Sequence, residues 1–154
     1  AGAASNTLND YEEGTFDVVV ADASSGGNSN GLGATGDADG VYTKIGDMVY
    51  WSIAGTVDTS GLTGSNALYL RGLPFAANNK TNFYEGMTPR IAAGNYIDFS
   101  GSGTYTQAHT TIAAAATWVQ FYQSGDASSV PGITVSQFTD DTAIRVQGMY
   151  HTDS

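Results

Sequence analysis

Val41–Val57, VYTKIGDMVYWSIAGTV, is the longest β signal in the chain, and its residues alternate. From Asp47 onward Val49, Trp51, Ile53 and Val57 fall on one face with Gly55 between them, while Met48, Tyr50, Ser52, Ala54 and Thr56 fall on the other. A repeat of two sends successive side chains to opposite faces, as a strand with one buried face requires. The stretch therefore predicts a half-buried strand opened by a turn at Tyr42-Thr-Lys-Ile-Gly46. Its Val49/Trp51/Ile53 face is expected in the core, and its Met48/Tyr50 face is where a neighbouring subunit is first expected.

Shorter stretches on either side repeat the signal. Thr15–Ala21 is nearly continuous in apolar and β-branched residues and reads as a first strand, after a polar lead-in over residues 1–14. Asp22–Gly40 reads as a glycine-rich, acidic surface loop. In Asn66–Leu73, Leu68 and Leu70 oppose Tyr69 and Arg71, and Pro74 ends the ladder. Ile97 and Phe99 oppose Tyr96 and Asp98, and Gly101-Ser-Gly103 signals a hairpin into the Thr-rich strand Thr104–Ile112. Ala113–Ala116 reads as a strand, bulge or bend, because β-branched and aromatic neighbours outweigh the helix propensity of alanine. Val119 and Phe121 oppose Trp118, Gln120 and Tyr122; Ile144, Val146 and Tyr150 oppose Arg145, Gln147 and Met149. About seven to nine strands and no helix-period segment predict an all-β fold, an antiparallel β-sandwich of jelly-roll-like form, with a barrel as the alternative. No internal repeat is present, so a solenoid or propeller is not expected.

At 154 residues the chain predicts a single domain over residues 15–154, large enough to bury about 68–70% of its unfolded surface. It opens on Ala1 rather than Met, as a fragment or processed product would. Cysteine is absent, so neither a disulfide framework nor a thiolate metal site is expected. Fifteen acids against five bases give a formal net charge of -10, and the bases Lys44, Arg71, Lys80, Arg90 and Arg145 are scattered. Phosphate backbones need clustered cations, so nucleic acid is not an expected partner. No run approaches the roughly 18 apolar residues of a spanning helix, so membrane insertion is not expected.

No catalytic motif stands out. His109 and His151 lie far apart without a nucleophile elbow or a helical His-Glu pair, and both read as solvated side chains. Asp37-Ala-Asp-Gly40 has the oxygen spacing of a calcium loop but lacks its closing Glu, since Gly46 stands there. The pairs Glu12-Glu13 and Asp140-Asp141 place adjacent carboxylates on opposite strand faces, the wrong arrangement to flank one glycosidic bond. Neither an enzyme, a cofactor nor a metal is therefore expected. The outward aromatics carry more information. Tyr50, Tyr69, Tyr96, Trp118 and Tyr122, interspersed with Arg71, Asp98 and Gln120, predict a contact surface for a ligand or a partner subunit.

Four motifs in order, Leu8-Asn-Asp-Tyr-Glu-Glu-Gly-Thr-Phe16, Tyr42-Thr-Lys-Ile-Gly46, Arg71-Gly-Leu-Pro-Phe75 and Gly148-Met-Tyr150, resemble the C-terminal module of bacteriophage tail-fibre and related virion structural proteins of marine and cyanobacterial phages. Asn9 and Phe16 replace an Asp and a Trp of that pattern. The resemblance implies a virion location and a β-rich module at the distal part of a fibre. It also implies a homotrimer beside other virion structural proteins, displaying a surface for a host cell-surface glycan. A structural cap or capsid decoration protein is the alternative, and a polysaccharide depolymerase a third reading. The motifs look like folding and assembly features, so they assign no binding residue by position.

Overall fold

The computed structural model describes residues 10–34, 39–79, 90–91, 105–126, 129–139 and 142–153. In chain order its strands are β1 (Tyr11–Phe16), β2 (Val19–Ala21), β3 (Ser29–Gly31), β4 (Gly33–Ala34), β5 (Gly40–Ile45), β6 (Met48–Val57), β7 (Tyr69–Arg71), β8 (Arg90–Ile91), β9 (Tyr105–Thr111), β10 (Trp118–Gly125) and β11 (Thr142–His151). They form two antiparallel sheets. The front sheet runs β1-β5-β6-β11-β8, with β4 also paired to β6, and the back sheet runs β3-β2-β7-β10-β9. Apart from the two-residue β4 and β8, nine strands remain, four in front and five behind. The protein is a β-sandwich. Pair β6–β11 of the front sheet encloses pair β7–β10 of the back sheet in sequence, the winding of a jelly roll.

The alternation of β6 decides what the front sheet buries. Val49, Trp51, Ile53, Gly55 and Val57 face inward along its whole length, and Ile144, Val146 and Tyr150 of β11 continue the same inner face. Val20, Leu68, Leu70, Val119 and Phe121 meet them from the back sheet. Gly55 is required here, because a Cβ would sit 2.6 Å from Leu32 Cδ2.

Three expectations change in three dimensions. Tyr42–Ile45 is strand, not turn: β5 pairs with β1 and β6 from Gly40 to Ile45, and the reversal is the two residues Gly46-Asp47. Gly46 takes φ +61°, which glycine adopts at little cost. The run Thr15–Ala21 is two strands rather than one. Residues 11–14 lie within β1, and the chain leaves the front sheet at Asp17-Val18. Val18 N donates to Asp39 Oδ2 at 3.0 Å and Leu32 N donates to Val18 O at 3.1 Å. Phe16 on one side of the exposed Asp17 and Val18, Val20 and Ala21 on the other are buried, so the run looks nearly continuous although it serves both sheets. The tract Asp22–Gly40 is not simply loop, since it carries β3 and β4. Ala113–Ala116 is a bend, with Ala115 at φ 58°.

The motifs from the start, middle and end of the chain meet at one place. The Tyr42 ring lies over Gly14, whose Cβ would stand 2.8 Å from it. Tyr42 packs edge-on against Phe75 at 5.4 Å and donates its hydroxyl to Glu12 at 2.6 Å. Lys44 Nζ stands 5.8 Å from the Phe75 ring centroid. Tyr150 Oη donates to Phe75 O at 2.9 Å, and Phe75 N donates back to that hydroxyl at 3.3 Å. Residues some 75 apart in sequence close one clasp between the sheets.

Candidate functional site: the two outer faces

The residues singled out from the sequence divide between opposite sides of the sandwich. Tyr69 and Arg71 on β7 and Trp118, Gln120 and Tyr122 on β10 share the outer face of the back sheet, because Trp118 pairs with Arg71 and Gln120 with Tyr69. Tyr50 stands alone among them on the outer face of the front sheet, paired with Thr43 and Met149. The expectation that Tyr50 joins the other aromatics in one surface is therefore corrected: Val49 and Leu70 both face the shared interior, so their neighbours point away from each other. Tyr96 and Asp98 lie outside the described residues.

On the back face the side chains hold one another. Tyr69 and Trp118 meet edge to face, with centroids 5.1 Å apart and planes at 90°. Tyr122 donates to Gln120 Oε1 at 2.9 Å. His109, directly opposite Tyr122 on β9, stacks against its ring at 5.8 Å and 20°. Arg71 Nη1 donates to Gly26 O at 2.9 Å, so the loop after β2 reaches the end of this row. Partial burial, then the neighbouring Tyr122, pushes the Tyr69 phenol above its ordinary value. His109 was read from the sequence as solvated; it is half-buried and part of this row. The Thr-rich strand around it has polar residues on both faces, so the sequence holds no signal of that stacking partner.

The front face has a different character. Six large hydrophobic side chains are exposed among the described residues: Tyr11, Val41, Ile45, Tyr50, Met149 and Val130. The first five stand on this one face, since Tyr11 pairs with Ile45, Val41 with Ser52, and Met149 with Tyr50. An open concavity of about 800 Å³ crosses it between Glu13 and Thr15, Val41 and Thr43, Tyr50 and Ser52, and Gln147 and Met149. Alternation within Val41-Tyr-Thr-Lys-Ile45 was the signal for Val41 and Ile45, but it is masked when those residues are read as a turn. Tyr11 Oη donates to Glu13 at 2.6 Å, which raises the Tyr11 phenol above its ordinary value. His151 Nδ1 lies 3.3 Å from Asp47 Oδ2 at the sheet's end.

Among the described residues no group of three or more His, Cys, Asp or Glu side chains is placed to hold a metal ion. No helix among them is long and apolar enough to cross a membrane. No protein-family model matches the chain, and no curated protein matches it.

Proposed function

We propose that the chain is a non-enzymatic structural module of a phage virion, of distal tail-fibre type, that assembles with copies of itself as a homotrimer and binds a host-surface glycan. The observation that carries the assembly half of this reading is the front outer face. Exposed apolar patches of several side chains are kept on folded proteins chiefly where something covers them, and burial contributes roughly 25 cal/mol per Å². Charge favours the same face. Association of copies that each carry a net charge of -10 is opposed by mutual repulsion, and interface centres are depleted in charged residues. The outward strand positions of this face, among those described, hold few fixed charges: Glu13 on β1, Arg145 on β11 and, in register with it on β8, Arg90, with His151 at the end of the sheet. The acid and the two bases lie towards opposite edges of the sheet, so a head-to-tail copy sets one against the other, and a closed ring is built from such heterologous contacts.

Sedimentation equilibrium tests this. The expected result is three times the monomer mass for the unaltered chain, and monomer mass for Tyr50→Glu combined with Met149→Glu with its thermal midpoint retained. A monomer at high concentration, or a trimer that survives both substitutions, rejects the assembly reading.

A further inference from the structure

We infer that the outer face of the back sheet is a platform for a carboxylate-bearing oligosaccharide, held along the row Arg71/Trp118, Tyr69/Gln120, Tyr122/His109. This deepens the glycan half of the proposed function and rests on it, but it does not depend on self-association. Four observations carry it. The row mixes aromatic and polar groups: the three register pairs carry four rings in two contacts, Tyr69–Trp118 on the diagonal and His109–Tyr122 directly across, with amide, hydroxyl and guanidinium groups between them. Sugar rings present C–H faces edged by hydroxyl groups, which suits that mixture better than it suits an all-apolar partner surface. The side chains are pre-set by their mutual contacts, through the Tyr69–Trp118 packing and the Tyr122–Gln120 hydrogen bond, so little ordering remains to oppose binding. Trp118 and Tyr122 are four residues apart on one strand, roughly 13 Å, the reach of a short saccharide segment rather than of one ring.

The fourth observation is charge. In a chain with 15 acids, the outward strand positions of this sheet, among the described residues, bear no carboxylate: they are Val19, Ala21, Ser29, Gly31, Tyr69, Arg71, Gln107, His109, Thr111, Trp118, Gln120, Tyr122 and Ser124. Asp22, next to Ala21, is buried and turned to its own loop partners. Arg71 spends Nη1 on Gly26 O and retains its other donors, and an arginine fork suits a carboxylate. Such a face suits an anionic chain in a molecule whose net charge of -10 otherwise opposes one.

The test is retention of the full chain on immobilised oligogalacturonate, hyaluronan fragments and oligosialic acid, beside neutral cello- and malto-oligosaccharides. Retention by an acidic member is expected, weakening as salt rises from about 0.1 M to about 1 M and the screening length falls from about 10 Å to about 3 Å. Gln120→Glu keeps an acceptor for Tyr122 while adding a negative charge, and should weaken retention by about tenfold or more at an unchanged thermal midpoint. Trp118→Ala should weaken it similarly. The Tyr50→Glu, Met149→Glu monomer should retain the same affinity per site, which separates failure of this inference from failure of the trimer. No retention by any acidic saccharide, equal retention of neutral ones, or retention indifferent to both Gln120→Glu and Trp118→Ala overturns it.

Discussion

Trp51 fills the inner row of β6 at 3% exposure, and its indole Nε1 is the one buried side-chain polar atom without a hydrogen-bond partner among the described residues. Shape rather than polarity holds it. Trp51→Ala should therefore cost about 3–5 kcal/mol in urea unfolding, and Trp51→Phe distinctly less, since it leaves no donor unpaired. Its neighbour Tyr50 is 46% exposed, and Tyr50→Ala should act chiefly on association. Equal stability losses at both positions would show the faces to be reversed. Asp22 is the other decisive residue. It accepts from Thr63 N at 2.8 Å and from Asn28 N and Nδ2 at 2.8 and 3.0 Å, and these bonds, that from Thr63 N first, lower its carboxyl from 3.8 to about 2. A folded-state value below the unfolded one means stabilisation that is full above about pH 4 and lost as pH falls through about 2. Thermal midpoints of the unaltered chain and Asp22→Ala should thus differ at pH 7 and converge near pH 2; a constant difference would deny the carboxylate this role.

The β1–β5–β6 meander shows how an element is fixed by what lies on it. Gly14 in β1 gives the Tyr42 ring of β5 its seat, and Tyr42 in turn contacts Glu12, Phe16 and Phe75. A branched side chain there must displace the ring. Gly14→Val should cost about 1–3 kcal/mol by overpacking, whereas Gly31→Ala in β3, where an added Cβ meets nothing within 4 Å, should fall within about 0.5 kcal/mol of neutral. Chemical denaturation of the two variants compares them directly, and a harmless Gly14→Val would remove the clasp from the account of stability.

Across the whole sandwich the two outer faces are back to back, with the core between them, so their roles are separable. Substitutions this far apart with no shared partner should act additively. Assembly then enters binding only through valency. On a dense acidic-glycan surface the trimer should exceed the Tyr50→Glu, Met149→Glu monomer by about a hundredfold or more, while both bind a free saccharide fragment equally in calorimetry. A difference with the free fragment would mean that the faces communicate.

Much of this architecture is legible in the chain because a strand's period of two is a local property. Val49, Trp51, Ile53, Leu68, Leu70, Val119, Phe121, Ile144, Val146 and Tyr150 are assigned inward by alternation, and all are buried. Tyr69, Trp118 and Tyr122 are assigned outward on the same ground. Alternation tells which side of its own strand a residue occupies, but it carries no label for the sheet that the strand joins. Tyr50 and Tyr69 therefore look alike in sequence and end on opposite surfaces. The division of Thr15–Ala21 between two sheets, the stacking of His109 on Tyr122, the burial of Asp22 and the meeting of Tyr42, Phe75 and Tyr150 all depend on pairing between distant segments. Such contacts form only when the two sheets close on one core, and that closure set which outward residues became neighbours.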